Sequence, residues 1–367
     1  MKKDFQLKNN TIIIICLFVL STIQGQPSYA GETREMYNGS RMMAMGGSSI
    51  AIVNDETALL SNPAALGKLR DFYGTIFDPE IDMTNEYTRF YNSSAFTNYL
   101  DLESITTAAQ GVKTFPYHYR QTVFPSFVGK NFGIGYYMSK SLDVHVSSAD
   151  LLNAYYRDDV GLVLGYNLRM FDGRLKIGFN AKYISRMEIV QEDVDLATNP
   201  TLTLAALGKE GTGISYDAGI ILTAPWKLLP TISAVARNVG GATFATAGVR
   251  STGGAGGEPN SQDQDIDVAL ALFPIHTSYS RSTWTVEYTN MLQTEADSAK
   301  KMHLGFEYNL GDTLFLRAGY NQRYWTGGIE LSTERMQLQW TSYGEEVGTA
   351  AAPQESRRTM VKFAYRF

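Results

Sequence analysis

The last nine residues, Thr359-Met360-Val361-Lys362-Phe363-Ala364-Tyr365-Arg366-Phe367, decide how the rest is read. Val361, Phe363, Tyr365 and Phe367 alternate with Met360, Lys362, Ala364 and Arg366. At the two-residue period of a strand, one face is apolar and aromatic and the other is mostly basic or small. The same alternation recurs upstream. Leu175, Ile177, Phe179, Ala181 and Tyr183 alternate with Lys176, Gly178, Asn180 and Lys182, and Met302, Leu304, Phe306 and Tyr308 with His303, Gly305, Glu307 and Asn309.

The amino-terminal residues read as a secretory leader. Lys2, Lys3 and Lys8 precede the apolar stretch Thr11 to Ser21, and Ser28-Tyr29-Ala30 places cleavage after Ala30. An apolar run of about 10 residues is shorter than the roughly 20 that a spanning helix needs. Cys16 is the one cysteine and lies in that leader, so the mature chain has no disulfide, no cysteine metal ligand and no cysteine nucleophile. The formal net charge is −5, with no basic cluster to bind nucleic acid. After the leader no apolar run reaches spanning length, since Ala218 to Trp226 ends at Lys227. A membrane is therefore crossed by strands, if it is crossed at all. A secretory leader with an aromatic terminal strand resembles the bacterial outer-membrane β-barrels, whose assembly signal would be carried by Phe363, Tyr365 and Phe367.

The pattern predicts an all-β fold, a transmembrane antiparallel barrel of about 14 strands, near 71–79, 121–129, 131–147, 156–169, 174–190, 212–225, 229–240, 265–275, 282–292, 301–310, 313–321, 325–333, 335–345 and 357–367. Aromatic residues at strand ends (Tyr183, Tyr288, Tyr308, Tyr320, Tyr365) fit interface girdles, and the apolar faces point to lipid. One set of connections is long (80–120, 148–155, 191–211, 241–264, 293–300, 346–356, with 322–324 the exception) and the other tight (Gly129-Lys130, Phe171-Asp172-Gly173, Lys227-Leu228, Gly311-Asp312). External loops and periplasmic turns differ in this way. Thr97 to Gln110 has helical spacing inside the first long connection. The predicted lumen carries Lys176, Lys182, Arg186, Asp267, Glu287, His303, Glu307, Arg317, Lys362 and Arg366, with few inward apolar residues such as Ile184, Phe273 and Phe315.

Residues 31–70 precede the strand array and hold the most specific motif. Arg41-Met42-Met43-Ala44-Met45-Gly46-Gly47-Ser48-Ser49-Ile50-Ala51 leads to Asn54-Asp55-Glu56-Thr57-Ala58 and then Ser61-Asn62-Pro63-Ala64-Ala65-Leu66. Gly46-Gly47 permits a turn at positive φ, and Pro63 suits a first helical turn capped by Asn62. This ordered set resembles the N-terminal hatch of the FadL-type outer-membrane transporter superfamily, which includes fatty-acid and aromatic-hydrocarbon channels and the PorV-like proteins of a bacterial secretion system. Gly319-Tyr320-Asn321 and Tyr343-Gly344-Glu345-Glu346-Val347-Gly348 resemble the PorV-like branch.

The resemblance implies a leader at 1–30, a hatch at 31–70 and a barrel at 71–367. It implies a monomer in the outer membrane of a Gram-negative bacterium, in contact with lipid. Hydrophobic or amphipathic small molecules would pass without energy input, gated by Gly46, Gly47, Asn62, Pro63 and Ala64. Tyr99, Leu100, Leu102, Ile105 and Phe115 are candidate ligand contacts in the first external loop. The alternative is a PorV-like scaffold that binds protein partners through its external loops; the charged lumen favours it. No enzyme motif is present: there is no Gly-x-Ser-x-Gly or His-Glu-x-x-His, and His118, His145, His276 and His303 are scattered. Gly253 to Gly257 lacks the lysine of a phosphate loop, and no cofactor is expected. Glu192-Asp193-Asp195, Asp263-Asp265-Asp267 and Glu345-Glu346 read as solvated loops rather than cation sites.

Overall fold

A computed structural model describes residues 36–85, 99–109, 115–146, 151–195, 202–248, 257–293, 297–348 and 352–367. The expected leader and residues 31–35 of the expected hatch lie outside them. The strands in chain order are β1 (Tyr73–Phe77), β2 (Glu80–Thr84), β3 (Phe115–Val123), β4 (Ser126–Val128), β5 (Phe132–Val146), β6 (Leu151–Met170), β7 (Leu175–Asp195), β8 (Lys209–Thr223) and β9 (Thr231–Arg237). They continue with β10 (Phe244–Thr246), β11 (Asp265–Leu272), β12 (Ser280–Tyr288), β13 (Met302–Leu310), β14 (Leu314–Asn321), β15 (Tyr324–Ser332), β16 (Met336–Glu346) and β17 (Glu355–Arg366). All pair antiparallel in one sheet. The sheet closes because β17 pairs with β16 on one side and with β1 and β2 on the other. Three staves are broken in two (β1/β2, β3/β4 and β9/β10), so the segments make a barrel of fourteen staves. Each of the fourteen predicted strands falls on one of them.

The period-2 reading of the faces holds through the wall. Phe179, Tyr183, Ile220, Leu222, Trp284 and Trp340 are exposed on the outer face, while Lys176, Lys182, Asn180 and Arg186 are buried on the inner one. The Asp172-Gly173 turn takes positive φ at Phe171, Asp172 and Gly173 (52°, 56° and 79°), as a tight hairpin requires. Among the described residues no helix is long and apolar enough to cross a membrane.

The first external connection is shorter than the predicted 80–120. The strand resumes after Pro79 as β2, and β3 begins at Phe115. Proline has no N–H for the ladder, which is why the pattern reads as ending there. The structure repairs the gap with a side chain. Asp78 accepts a hydrogen bond from Phe124 N at 2.6 Å, beside the matching break at Pro125 in the next stave. The Pro79 and Pro125 carbonyls still accept from Phe363 N (3.0 Å) and Tyr136 N (2.9 Å).

The predicted helix in that connection spans Leu102–Ala109. It packs on the outer face of the extended ends of β3, β5, β6 and β7. Leu102 and Ile105 are fully buried against Tyr117, Tyr119, Leu142, Val144, Leu152 and Ile189. In β5 these apolar residues follow Tyr136 and Met138 on the same face, separated from them by Lys140, which pairs with Asp158 at 3.3 Å. The outer face thus carries two apolar bands: one bare, one covered by the chain's own helix.

Candidate functional site

Residues 36–69 lie inside the barrel. The helix Ser40–Ala44 packs on β14 to β17, and the 3-10 helix Pro63–Lys68 packs on β6, β7 and β8. Between them Gly46 and Gly47 turn at φ 69° and 86°. Gly46 N donates to Thr326 Oγ1 (3.1 Å), and its carbonyl meets His303 Nδ1 at 2.9 Å. The approach is close because the facing wall residue is also glycine: a Cβ on Gly319 would lie 2.6 Å from Met45 C. The wall makes the same concession on the opposite side, where a Cβ on Gly178 would overlap the backbone of Pro63 and Ala64.

Asn62 is fully buried and uses its whole amide. Nδ2 donates to Ile50 O (2.7 Å) and Ser233 Oγ (2.9 Å), and Oδ1 accepts from Ala64 N (3.0 Å), capping the 3-10 helix. The expected gating set is therefore split between two anchor points, Gly46-Gly47 on β13 to β15 and Asn62-Pro63-Ala64 on β7 to β9.

Charge bolts the segment to the wall. Glu307 receives Arg41 Nε and Nη2, both at 3.1 Å, and Arg317 Nε at 2.7 Å; Arg317 also reaches Glu330. Buried Glu56 receives Arg366 Nη2 at 3.0 and 2.9 Å and Lys362 Nζ at 3.5 Å. Glu287 accepts from Ser49 N (2.7 Å) and Ile50 N (3.1 Å). Burial by itself would raise the Asp55 carboxyl, but Arg41 and then Arg366 outweigh it and hold it down at about 2. Lys68 is pushed the other way, to about 7, by burial and then by Lys176 and Arg41; its Nζ donates to Ala51 O at 2.6 Å.

Each predicted lumen residue faces inward. Besides those in the bolts, Lys182 pairs with Asp217 (2.9 Å), Arg186 with Asp159 (2.7 Å), and Asp267 with Arg237 (2.5 Å). The charge continues to the far end of the lumen, where His118 sits between Asp82 (3.1 Å) and Asp143 (2.5 Å). Two small cavities, of about 20 and 30 Å³, flank the segment. The first lies against Gln337, Gln339 and Lys362, and the second against His303, Asn321 and Lys300.

The candidate ligand contacts sit elsewhere. Leu102 and Ile105 are spent on the covered outer band, Leu100 packs against it, and Tyr99 stacks on Tyr119 with centroids 4.3 Å apart. Only the backbone of Phe115 is described, in β3. Phe363, Tyr365 and Phe367 face outward, with the Phe367 backbone paired to Gly74. Glu345 and Glu346 are not loop residues, as the sequence suggested. They are buried at the end of β16, where Glu345 accepts from Asn321 (3.0 Å) and Gln322 (2.6 Å). Sequence reasoning missed Ser233, Thr326 and the wall glycines; their signal was a small residue at an inward position of a strand.

No protein-family model and no curated protein matches the chain. Solved structures do. The CymD monoaromatic hydrocarbon channel superimposes with a TM-score of 0.53 at 10% identity, over 89% of this chain and 96% of its own. The fold is that of the FadL-type channels. The Pseudomonas putida toluene transporter TodX matches at TM-score 0.50 and 12% identity, over 92% of this chain and 99% of that one. The Ralstonia pickettii toluene transporter TbuX matches at 0.50 and 14%, over 90% and 98%.

Proposed function

We propose that the protein is a passive channel for hydrophobic or amphipathic small molecules, standing as a monomer in the outer membrane of a Gram-negative bacterium, with residues 31–70 as its hatch. The observation that carries this reading is the placement of residues 36–69 within a FadL-type barrel, the fold shared with channels for monoaromatic hydrocarbons. The bare apolar band supports a membrane setting. The lumen beside the hatch is polar and filled, so passage requires the hatch to shift. Asn62 ties one of its two anchor points. Asn62→Ala removes three hydrogen bonds, of which the one to Ser233 joins the wall; at about 1 kcal/mol that bond alone raises the shifted population about fivefold. Toluene uptake by cells expressing the variant should rise accordingly while barrel assembly is unchanged. Equal uptake by variant and wild type would sink the gating role.

The scaffold reading is favoured by one observation: ion pairs line the lumen at its outer end as well, as at Arg157 and Glu188 (3.7 Å). A loop deletion separates the two readings. It must spare Phe244–Thr246, which forms part of the wall against β8. Removing residues 248–257 leaves uptake intact in a channel. In a scaffold it abolishes the protein complex seen by native mass spectrometry of gently extracted material.

A further inference from the structure

Several inward charges among the described residues are matched directly across the strands. In the β6–β7 hairpin Asp159 faces Arg186 and Arg157 faces Glu188, and in β13–β14 Glu307 faces Arg317. At the turn end of the same β6–β7 hairpin, Arg169 faces Lys176. Like charges placed directly opposite destabilise a sheet, and one acidic residue there would remove the penalty. Lys176 is only 7% exposed, so its charge is not simply left to water.

The two cations converge on one point. Lys176 Nζ donates to Gly173 O, and a Cβ on Gly173 would lie 2.8 Å from Arg169 Nη2. A third cation adjoins them. Lys68 follows Gly67, on which a Cβ would be 2.9 Å from Lys176 Cδ; the Lys176 charge acts on it, and its Nζ also donates to Ala51 O at 2.6 Å. Among the described residues none of the three has a carboxylate within ion-pair distance, Asp172 of the intervening turn included. Asn167 completes the corner. It is 1% exposed, its Nδ2 is committed to Ala64 O (3.0 Å) and Ile177 O (3.1 Å), and its Oδ1 has no hydrogen-bond partner. Buried polar atoms are normally paired, so Asn167 Oδ1 is left to accept from a water or a guest's hydroxyl at this corner.

We propose that Arg169, Lys176 and Lys68 form an oxyanion site at the mouth of the barrel beside the Phe171–Gly173 turn, taking a phosphate or carboxylate group. An oxyanion would neutralise the opposed cations through charge-assisted hydrogen bonds, and Asn167 Oδ1 would accept from a P–OH or a guest water. Burial, and then the neighbouring charge of Lys176, depress the Lys68 ammonium. The site goes beyond the channel reading and does not depend on it, because binding is read without transport.

The test uses the full chain in nonionic detergent and calorimetric titration with inorganic phosphate, decanoate and the neutral decanol. An anion should bind at least about tenfold more weakly to Arg169→Gln, and not measurably to Lys176→Glu. Decanol should not distinguish the variants. Lys176→Glu replaces a like-charge pair with an opposite one, so its thermal midpoint should hold or rise, which separates lost binding from lost folding. Binding of phosphate alone identifies a free or esterified phosphate as the guest, and binding of decanoate alone the head group of an amphiphile; either supports the site. Binding of neither anion, or equal binding by wild type and both variants, overturns it.

Discussion

Glu56→Ala should release residues 36–69 from the closing strand at a cost of about 3–5 kcal/mol, the usual effect of removing one partner from a buried ion pair. Glu56 is fully buried and is the carboxylate on which Arg366 and Lys362 converge. Without it Arg366 keeps Gln337 Oε1 at 2.7 Å, and Lys362 keeps Asp78 at 3.8 Å. Gln337 is neutral and the Asp78 contact is long, so neither replaces the carboxylate that both cations share. Glu56→Gln should cost less, since it still offers one acceptor to Arg366. The loss belongs to that segment and not to the strand ladder, which is paired independently by main-chain bonds. Hydrogen exchange reads the two separately. Amides of residues 40–66 should exchange about a hundredfold faster or more, by the same free energy, while those of β16 and β17 keep their protection. Unchanged exchange in 40–66 would show that the ion pair does not hold the segment.

Gly46→Val should expel the Gly46-Gly47 turn from the wall altogether. The residue sits at φ 69°, where a β-branched side chain is an outlier. The added Cβ would land on Leu304 O and lie 2.6 Å from Tyr320 N, both backbone atoms of paired strands that cannot give way. Gly319→Val produces the same clash from the other side, 2.7 Å from Gly46 Cα. The two substitutions should therefore share one phenotype: an assembled barrel, trypsin cleavage at Arg41, and ion conductance in a planar bilayer well above wild type. Wild-type conductance and protease resistance in both variants would mean that the turn does not block the lumen.

The staves were readable because each wall residue faces one of two surroundings, and an alternating strand records which one. Leu175 to Tyr183 against Lys176 to Lys182 is enough to separate the faces with no partner known. Interruptions were harder. Pro79 reads as the end of a strand, and only the Asp78 to Phe124 bond shows that the stave goes on. The hatch motif was readable as a set of turn and cap residues, Gly46-Gly47 and Asn62-Pro63, since those preferences are local. Its anchors were not: Glu56 meets Arg366 across 310 residues, and nothing near either one names the other.

What the sequence determined alone is the inside and outside of the wall, a count of about 14 staves, and the local shape of residues 40–66. Those follow from side-chain period and backbone preference, which act over a few residues. The tertiary structure decided which inward charges meet, where glycine lets residues 36–69 touch the wall, and what covers the outer face. Leu142 and Val144 continue the outward apolar row of β5, and alternation assigns them to lipid. Helix Leu102–Ala109 covers them instead. Lipid and a packed helix are both apolar surroundings, so a single strand carries the same pattern for either, and only the folded chain distinguishes them.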